Sequence, residues 1–283
     1  MIPRPLRSAL YVPADKARAL EKAAGLPVDA VLVDLEDAVA PDAKPAAREA
    51  AASAPGYGER LRVLRINGAG TPWHEDDLAA AARMGPDAVL LPKPGSARDV
   101  AAVAERTGCP VWAMVETPAG VLAAGEIAEA VAASGGLGAL VMGTNDLAKE
   151  LGARSVPDRA PMAASLGLCV LAARAHGIAC LDGVFNAFRD EDGLRAECVQ
   201  GRDMGFDGKT LIHPAQAPVA NECFAPGAEE IERARREIAA FEAAQAEGRG
   251  VAVLDGRLIE ALHVETARAT LARAETIAER EAA

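Results

Sequence analysis

Short apolar runs recur along the chain, each followed by a longer alanine-rich segment whose apolar positions repeat at helical spacing. The runs are Ser8–Pro13, Ala30–Asp34, Arg62–Ile66, Ala88–Leu91, Val111–Val115, Ala139–Met142, Gly177–Leu181 and Lys209–Ile212. They are apolar at consecutive positions, not at alternate ones, so both faces of each strand are covered, as in a parallel sheet flanked by helices. Strand and helix alternate throughout, and eight such units predict an α/β fold of the (β/α)8 TIM-barrel kind. A doubly wound open sheet is the alternative. Against it, no G-x-G-x-x-G follows the first strand.

From Ala225 the pattern changes. A charged helix is expected over Glu229–Gln245, then a glycine-bounded stretch Gly248–Gly256, then an amphipathic helix from about Ala261. Residues 1–224 therefore read as the barrel and 225–283 as a C-terminal helical appendage or lid. Leu262, Val264, Ala267, Leu271, Ala274 and Ile277 approximate one stripe of the last helix, which must pack on its own barrel or on a neighbouring subunit.

Composition narrows the function. A 51% hydrophobic content with 25% charged residues supplies a large core and excludes a disordered chain. The net charge is −11 and no stretch gathers Lys and Arg among aromatics, so nucleic acid is not the expected partner. An anionic substrate must then be gripped by a few local cations or by a metal, because the global field repels it. The five cysteines are widely spaced and lack C-x-x-C, which suggests neither disulfides nor zinc and fits a reducing cytoplasm. The segment MIPRPLRSALYVP has no long apolar core, and no apolar run reaches about 18 residues without a charge or glycine, so neither export nor a membrane span is expected.

A barrel of this kind carries its active site at the C-terminal ends of the strands. There the sequence offers Asp34-Leu35-Glu36-Asp37, Arg65-Ile66-Asn67, Pro92-Lys93-Pro94, Glu116-Thr117-Pro118, Gly143-Thr144-Asn145-Asp146 and His213-Pro214. Carboxylates converging on one mouth repel one another unless protonated or bridged by a cation. With oxygen ligands and no paired His or Cys, a hard ion is expected, Mg²⁺ or alternatively Mn²⁺, keeping several waters. Glu116 and Asp146 are otherwise helix-capping carboxylates. Arg65 ends an apolar strand and needs an anion: either an ion pair with Glu36 or Asp37, or a substrate carboxylate held bidentately with help from the backbone of the Gly143-Thr144-Asn145 turn. Lys93 is a remote Schiff-base candidate, with only apolar burial to depress its pKa. His213 reads first as a packing histidine.

These residues, in this order, resemble a known family. Leu10-Tyr11-Val12-Pro13, Val33-Asp34-Leu35-Glu36-Asp37-Ala38-Val39, Lys44 with Arg48, Leu64-Arg65-Ile66-Asn67, Val115-Glu116-Thr117-Pro118-Ala119-Gly120, Gly143-Thr144-Asn145-Asp146-Leu147 and Ile212-His213-Pro214 are similar to segments of the citrate lyase beta subunit-like CoA-ester lyases of the HpcH/HpaI aldolase superfamily. The resemblance implies a (β/α)8 barrel assembled as a homotrimer or hexamer, with Mg²⁺ on Glu116 and Asp146. It implies that Glu36 and Asp37 hold metal-bound waters. Arg65, with the backbone at Thr144, Asn145 and Asp146, would take the carboxylate of a 2-oxo acid, and Lys16, Lys44 and Arg48 would meet CoA phosphates. Two departures stand out: Pro13-Ala14-Asp15 where a glycine often follows the proline, and Gly256-Arg257-Leu258-Ile259-Glu260 where relatives often end in aspartate.

The expected enzyme is therefore a Mg²⁺-dependent carbon–carbon lyase that cleaves a citryl-, malyl- or citramalyl-type thioester to an acyl-CoA and a 2-oxo acid. Glu260, at the end of an apolar pair and just before a helix, is expected to act as acid or base on a closing lid shared with an adjacent subunit. The alternatives are a malate or citramalate synthase-like condensing enzyme that hydrolyses the thioester, a CoA-independent 2-oxo-acid aldolase, and a non-catalytic oxo-acid-binding subunit.

Overall fold

The computed structural model describes residues 4–282. Residues 1–3, the start of the N-terminal segment considered above, and residue 283 of the appendage lie outside them. The described chain divides into two compact units, one spanning Leu6–Phe224 and one comprising residues 225–282 with Arg4 and Pro5.

In the first unit, strands β1 (Ser8–Pro13), β2 (Ala30–Asp34), β3 (Leu61–Arg65), β4 (Ala88–Pro92), β5 (Val111–Val115), β6 (Ala139–Met142), β7 (Ala179–Asp182) and β8 (Gly208–Leu211) close in sequence order into a parallel barrel. The last pairing, β8 with β1, sets Lys209 beside Ser8. Expected and observed strands agree within a residue or two at each end. The largest difference is at β7, where Gly177 takes φ +67° in a turn and pushes the strand start to Ala179.

The two-residue period sorts each strand. Ala9, Ala30, Leu32, Val63, Leu90, Trp112, Met114, Val141 and Leu181 form one buried cluster along the barrel axis. Leu10, Val12, Val31, Val33, Leu64, Val89, Val115 and Leu140 belong to a second, between the sheet and the helices. Extending the inner series by one step on each strand brings Tyr11, Asp34, Arg65, Glu116 and Gly143 to the mouth.

The second unit is built from helices Ala228–Ala246 and Ala261–Ala282, joined through an antiparallel hairpin, β9 (Ala252–Leu254) with β10 (Arg257–Ile259). The hairpin starts within the stretch Gly248–Gly256, which the sequence marks only by its bounding glycines. Its turn is Asp255-Gly256, both with positive φ, the dipeptide that suits a two-residue hairpin turn, and Arg236 Nη2 clasps the Asp255 carboxylate at 2.7 and 2.8 Å. Phe241, Ala244, Ala252, Ile259 and Val264 form its core. Of the expected stripe, Val264, Ala267 and Ile277 are buried, whereas Leu262 at the helix start faces outward.

Candidate active site

Glu116 follows β5 and is only 3% exposed. It does not cap the next helix: Thr117 takes that position, its Oγ1 accepting from the Gly120 amide at 3.0 Å. Glu116 is thus released to face the barrel mouth, and Gly143 lets it fit, since a Cβ at 143 would lie 2.6 Å from Glu116 Oε2. Its Oε1 is buried with no hydrogen-bond partner. Burial, and next the charge of Glu36, push the Glu116 carboxyl up to about 8.

Arg65 and Asp34 end adjacent strands in register, both pointing inward. Arg65 donates from Nε to Asp34 Oδ1 at 2.7 Å and from Nη2 to Asp34 Oδ2 at 2.6 Å. Asp34, not Glu36 or Asp37, is therefore the main partner, and period-2 counting from Ala30 and Leu32 identifies it. Glu36 and Asp37 approach only Nη1, at 3.0 and 3.7 Å. Burial opposes the guanidinium charge, but Asp34 at contact distance more than compensates and holds its pKa above the ordinary value. Tyr11, on β1, lies under the guanidinium with its ring 4.7 Å away. The Nη1 nitrogen not taken by Asp34 is met by Glu36, so a second anion there would exchange with that contact. Burial likewise raises the Glu36 carboxyl to about 7.

Asp146 lies in the first turn of the helix Thr144–Leu151, whose leading backbone N–H groups have no intrahelical acceptors. Its Oδ2 meets Lys93 Nζ at 2.6 Å. That ion pair reverses the expectation for Lys93: the bond to Asp146 raises its pKa, as do the charges of Glu116 and Glu36. The Asn145 side chain exchanges hydrogen bonds with Asn186 at 3.3 and 2.7 Å. Gln216 donates to Phe185 O at 2.9 Å and accepts from Ile212 N, so the loops after β7 and β8 are tied together. His213 caps the turn that follows, accepting from Ala215 N, and stacks on Phe188.

Tyr11, Asp34, Arg65, Glu116, Gly143 and Asp146 line a cavity of about 290 Å³. Asp37, Thr144 and Asn145 also border it. Lys44 and Arg48 are engaged elsewhere: Lys44 Nζ is buried on the carbonyls of Leu35 and Glu36 and lies over Trp73, and Arg48 holds Asp77 at 2.7 Å. Lys16 is exposed beside Asp15. Glu260, in the second unit, immediately precedes the last helix; its backbone carbonyl accepts from His263 and Val264 and its amide donates to His263 Nδ1.

A hard cation fits this donor set. Glu116 presents a buried, unpartnered oxygen, burial and the charge of Glu36 oppose its ionisation until a cation offsets them, and Lys93 holds Asp146 at the same mouth. Among the described residues no cluster of three or more His, Cys, Asp or Glu side chains is arranged to hold a metal alone, so an ion here would complete its shell with water and substrate oxygens.

The site is that of a CoA-ester-processing barrel of the aldolase kind. The chain matches the HpcH/HpaI aldolase/citrate lyase family over residues 7–214 and belongs to it. That family contains citrate lyase beta subunits and malyl-CoA lyases, enzymes that cleave carbon–carbon bonds of CoA esters. Among relatives, the chain is 58% identical over 278 residues to a (3S)-malyl-CoA thioesterase of Cereibacter sphaeroides, covering 97% of this chain and 96% of that protein. It is 33% identical to the citrate lyase subunit beta of Escherichia coli, covering 96% and 94%. Among solved structures, CitE of Mycobacterium tuberculosis in complex with magnesium, acetoacetate and coenzyme A superposes with a TM-score of 0.81 at 35% identity, covering 96% and 98%. No helix among the described residues is long and apolar enough to cross a membrane.

Proposed function

We propose that this chain acts on a malyl-type CoA thioester, a 3-hydroxy-3-carboxyacyl chain on CoA, at the mouth of the barrel, with Mg²⁺ or Mn²⁺ held by Glu116 and Asp146. The buried, unpartnered Glu116 Oε1 beside Asp146 and opposite Arg65 carries this reading. The ion would polarise a substrate oxygen and offset the carboxylate charge. Arg65, locked by Asp34 and Tyr11, would give its Nη1 edge to the substrate carboxylate in exchange for Glu36, and the first-turn amides of Thr144–Leu151 face the same anion. Fixing that carboxylate leaves the thioester end to be placed against Glu36. Glu36 Oε2 lies against Arg65 Nη1 at 3.0 Å, and once the substrate carboxylate takes that nitrogen a carboxyl poised near 7 takes a proton from water at neutral pH.

Water attack on the thioester carbonyl, releasing malate and free CoA, is the net reaction best supported, because the 58% identity to a malyl-CoA thioesterase spans nearly the whole of both chains. Cleavage of the carbon–carbon bond to acetyl-CoA and glyoxylate is the second reading, favoured by the names of the relatives at 33–34% identity. Glu260, carried on the appendage of an adjacent subunit, enters both as the acid or base on the substrate side. A homotrimer or hexamer is part of the proposal, supported by Leu122, Leu168 and Leu171, which are exposed on the barrel's outer helices. Light scattering of the purified protein tests it.

Incubation with Mg²⁺ and (3S)-malyl-CoA, with separate assays for free thiol, malate, acetyl-CoA and glyoxylate, distinguishes the two reactions. Thiol and malate appearing together support hydrolysis, and acetyl-CoA with glyoxylate supports the lyase. Turnover of neither malyl-CoA nor its citramalyl and citryl analogues sinks the substrate class.

A further inference from the structure

We propose that Lys93 is the resident counter-cation of the metal site, holding Asp146 until a divalent ion displaces it. The inference rests on the metal reading above. Its motivation is geometric: Lys93 leaves β4 in the left-handed region, φ +51°, between Pro92 and Pro94. A lysine has no intrinsic reason to adopt that conformation. The turn sends its side chain across the end of β5, where Glu116 sits, to the helix that follows β6, and Nζ reaches Asp146 Oδ2 at 2.6 Å. The ammonium thereby stands among the carboxylates that would bind the ion.

The charge balance explains why the two cations exclude each other. Arg65 is already answered by Asp34 and Glu36. Among the described residues at the mouth, Lys93 is the other cation near Glu116 and Asp146, which together carry the charge one divalent ion neutralises once the ion has displaced the Glu116 proton. With the ion in place, a lysine still on Asp146 would be an uncompensated like charge at close range in a half-buried cavity. Lys93 is free to retreat: it is nearly half exposed and has a flexible four-carbon arm. Asp146 exchanges one partner for another, so the metal-free site never leaves it unpaired, at the cost of weaker metal affinity.

The test measures metal binding without turnover, by Mn²⁺ titration followed by electron paramagnetic resonance or calorimetry on the intact protein. Lys93→Met is expected to tighten Mn²⁺ binding about tenfold or more, because the competitor is gone. Lys93→Arg keeps the competing charge and should bind Mn²⁺ no more tightly than the original protein. Thermal melting of each variant confirms that it is folded. If Lys93→Met binds Mn²⁺ equally or more weakly while Glu116→Gln and Asp146→Asn lose binding, the exchange is overturned and the metal site stands. If Glu116→Gln and Asp146→Asn leave Mn²⁺ binding unchanged, the metal reading fails and the exchange with it.

Discussion

Two groups of buried charge sit at neighbouring positions of the same barrel and are built on opposite terms. Behind β7 and β8, between sheet and helices, Asp182 receives Arg159 Nη1 at 2.7 and 2.8 Å and Lys209 Nζ at 3.0 Å, and Lys209 also meets Glu197 at 2.6 Å. Two acids face two bases. Burial alone would raise the Asp182 pKa, but Lys209 and Arg159 outweigh it and hold it below the ordinary carboxylate value. At the mouth, Asp34, Glu36, Asp37, Glu116 and Asp146 outnumber Arg65 and Lys93. Here burial wins, and Glu36 and Glu116 are pushed up. A cluster that closes its own charge balance serves the fold, whereas one left acidic awaits something from solution.

Crossing the two clusters gives the largest expected effects. Asp182→Asn leaves the buried cations Lys209 and Arg159 to share the single acid Glu197 and should cost about 3–5 kcal/mol of stability, read by denaturant unfolding. Glu116→Gln should leave stability unchanged or slightly higher, because it removes a carboxyl that the folded state strains to ionise. Its turnover should fall about a hundredfold or more, since a ligand-bearing group is lost. If Glu116→Gln destabilises as Asp182→Asn does, the mouth is a structural network like the one behind it.

Next in size is Arg65→Lys. Asp34 commits two guanidinium nitrogens, and an ammonium cannot hold Asp34 and a substrate carboxylate in one plane. Turnover should drop about 10- to 100-fold with a matching loss of affinity for small 2-oxo or 2-hydroxy acids. A near-normal Lys variant would assign Arg65 to Asp34 alone.

Much of this was legible in the chain. Consecutive apolar runs made the strand order readable, and the polar residue after each run placed Arg65, Glu116 and Asp146 at the mouth. Asp34 was in view as a residue but not as the partner of Arg65, because pairing depends on register: only the in-register inward positions of β2 and β3 show that Asp34 precedes Glu36 in reaching the guanidinium. For Lys93 the sequence shows only apolar burial, since its contact with Asp146 spans two strands and 53 residues, beyond any local pattern. The Asp255-Gly256 hairpin turn is a local signal within the stretch Gly248–Gly256, where the glycines read as boundaries and not as a turn. Lys44 shows the opposite limit: the resemblance implies a contact with CoA phosphates, whereas its Nζ donates to two backbone carbonyls, and no sequence pattern separates those uses.

A smaller effect is expected from Glu260→Gln. The residue is exposed and it is its backbone that bonds to His263 and Val264, so melting should not move. If it is the acyl-side acid or base, turnover falls about tenfold to a hundredfold with unchanged Mn²⁺ affinity. Full activity would leave it as a charge at a helix start.

The smallest effect separates the clusters without any mutation of the fold. In the metal-free protein Glu116 and Glu36 bind protons up to about 8 and about 7, whereas in the unfolded chain both titrate near 4.5. Between those values the folded state binds more protons than the unfolded state, so stability must fall as pH rises. Below the unfolded value the two groups contribute nothing, and above their folded values the loss is complete. Asp182 has the reverse sign: its stabilisation is present above the unfolded value and is lost only as pH falls through its depressed folded value. Chelated protein should therefore melt at progressively lower temperature from about pH 5 to about pH 8.5, Glu116→Gln should flatten that slope, and saturating Mg²⁺ should flatten it in the original protein. A slope that is already flat in the chelated protein, or one untouched by both Glu116→Gln and Mg²⁺, would mean that the mouth carries no excess charge and differs from the cluster behind it only in position.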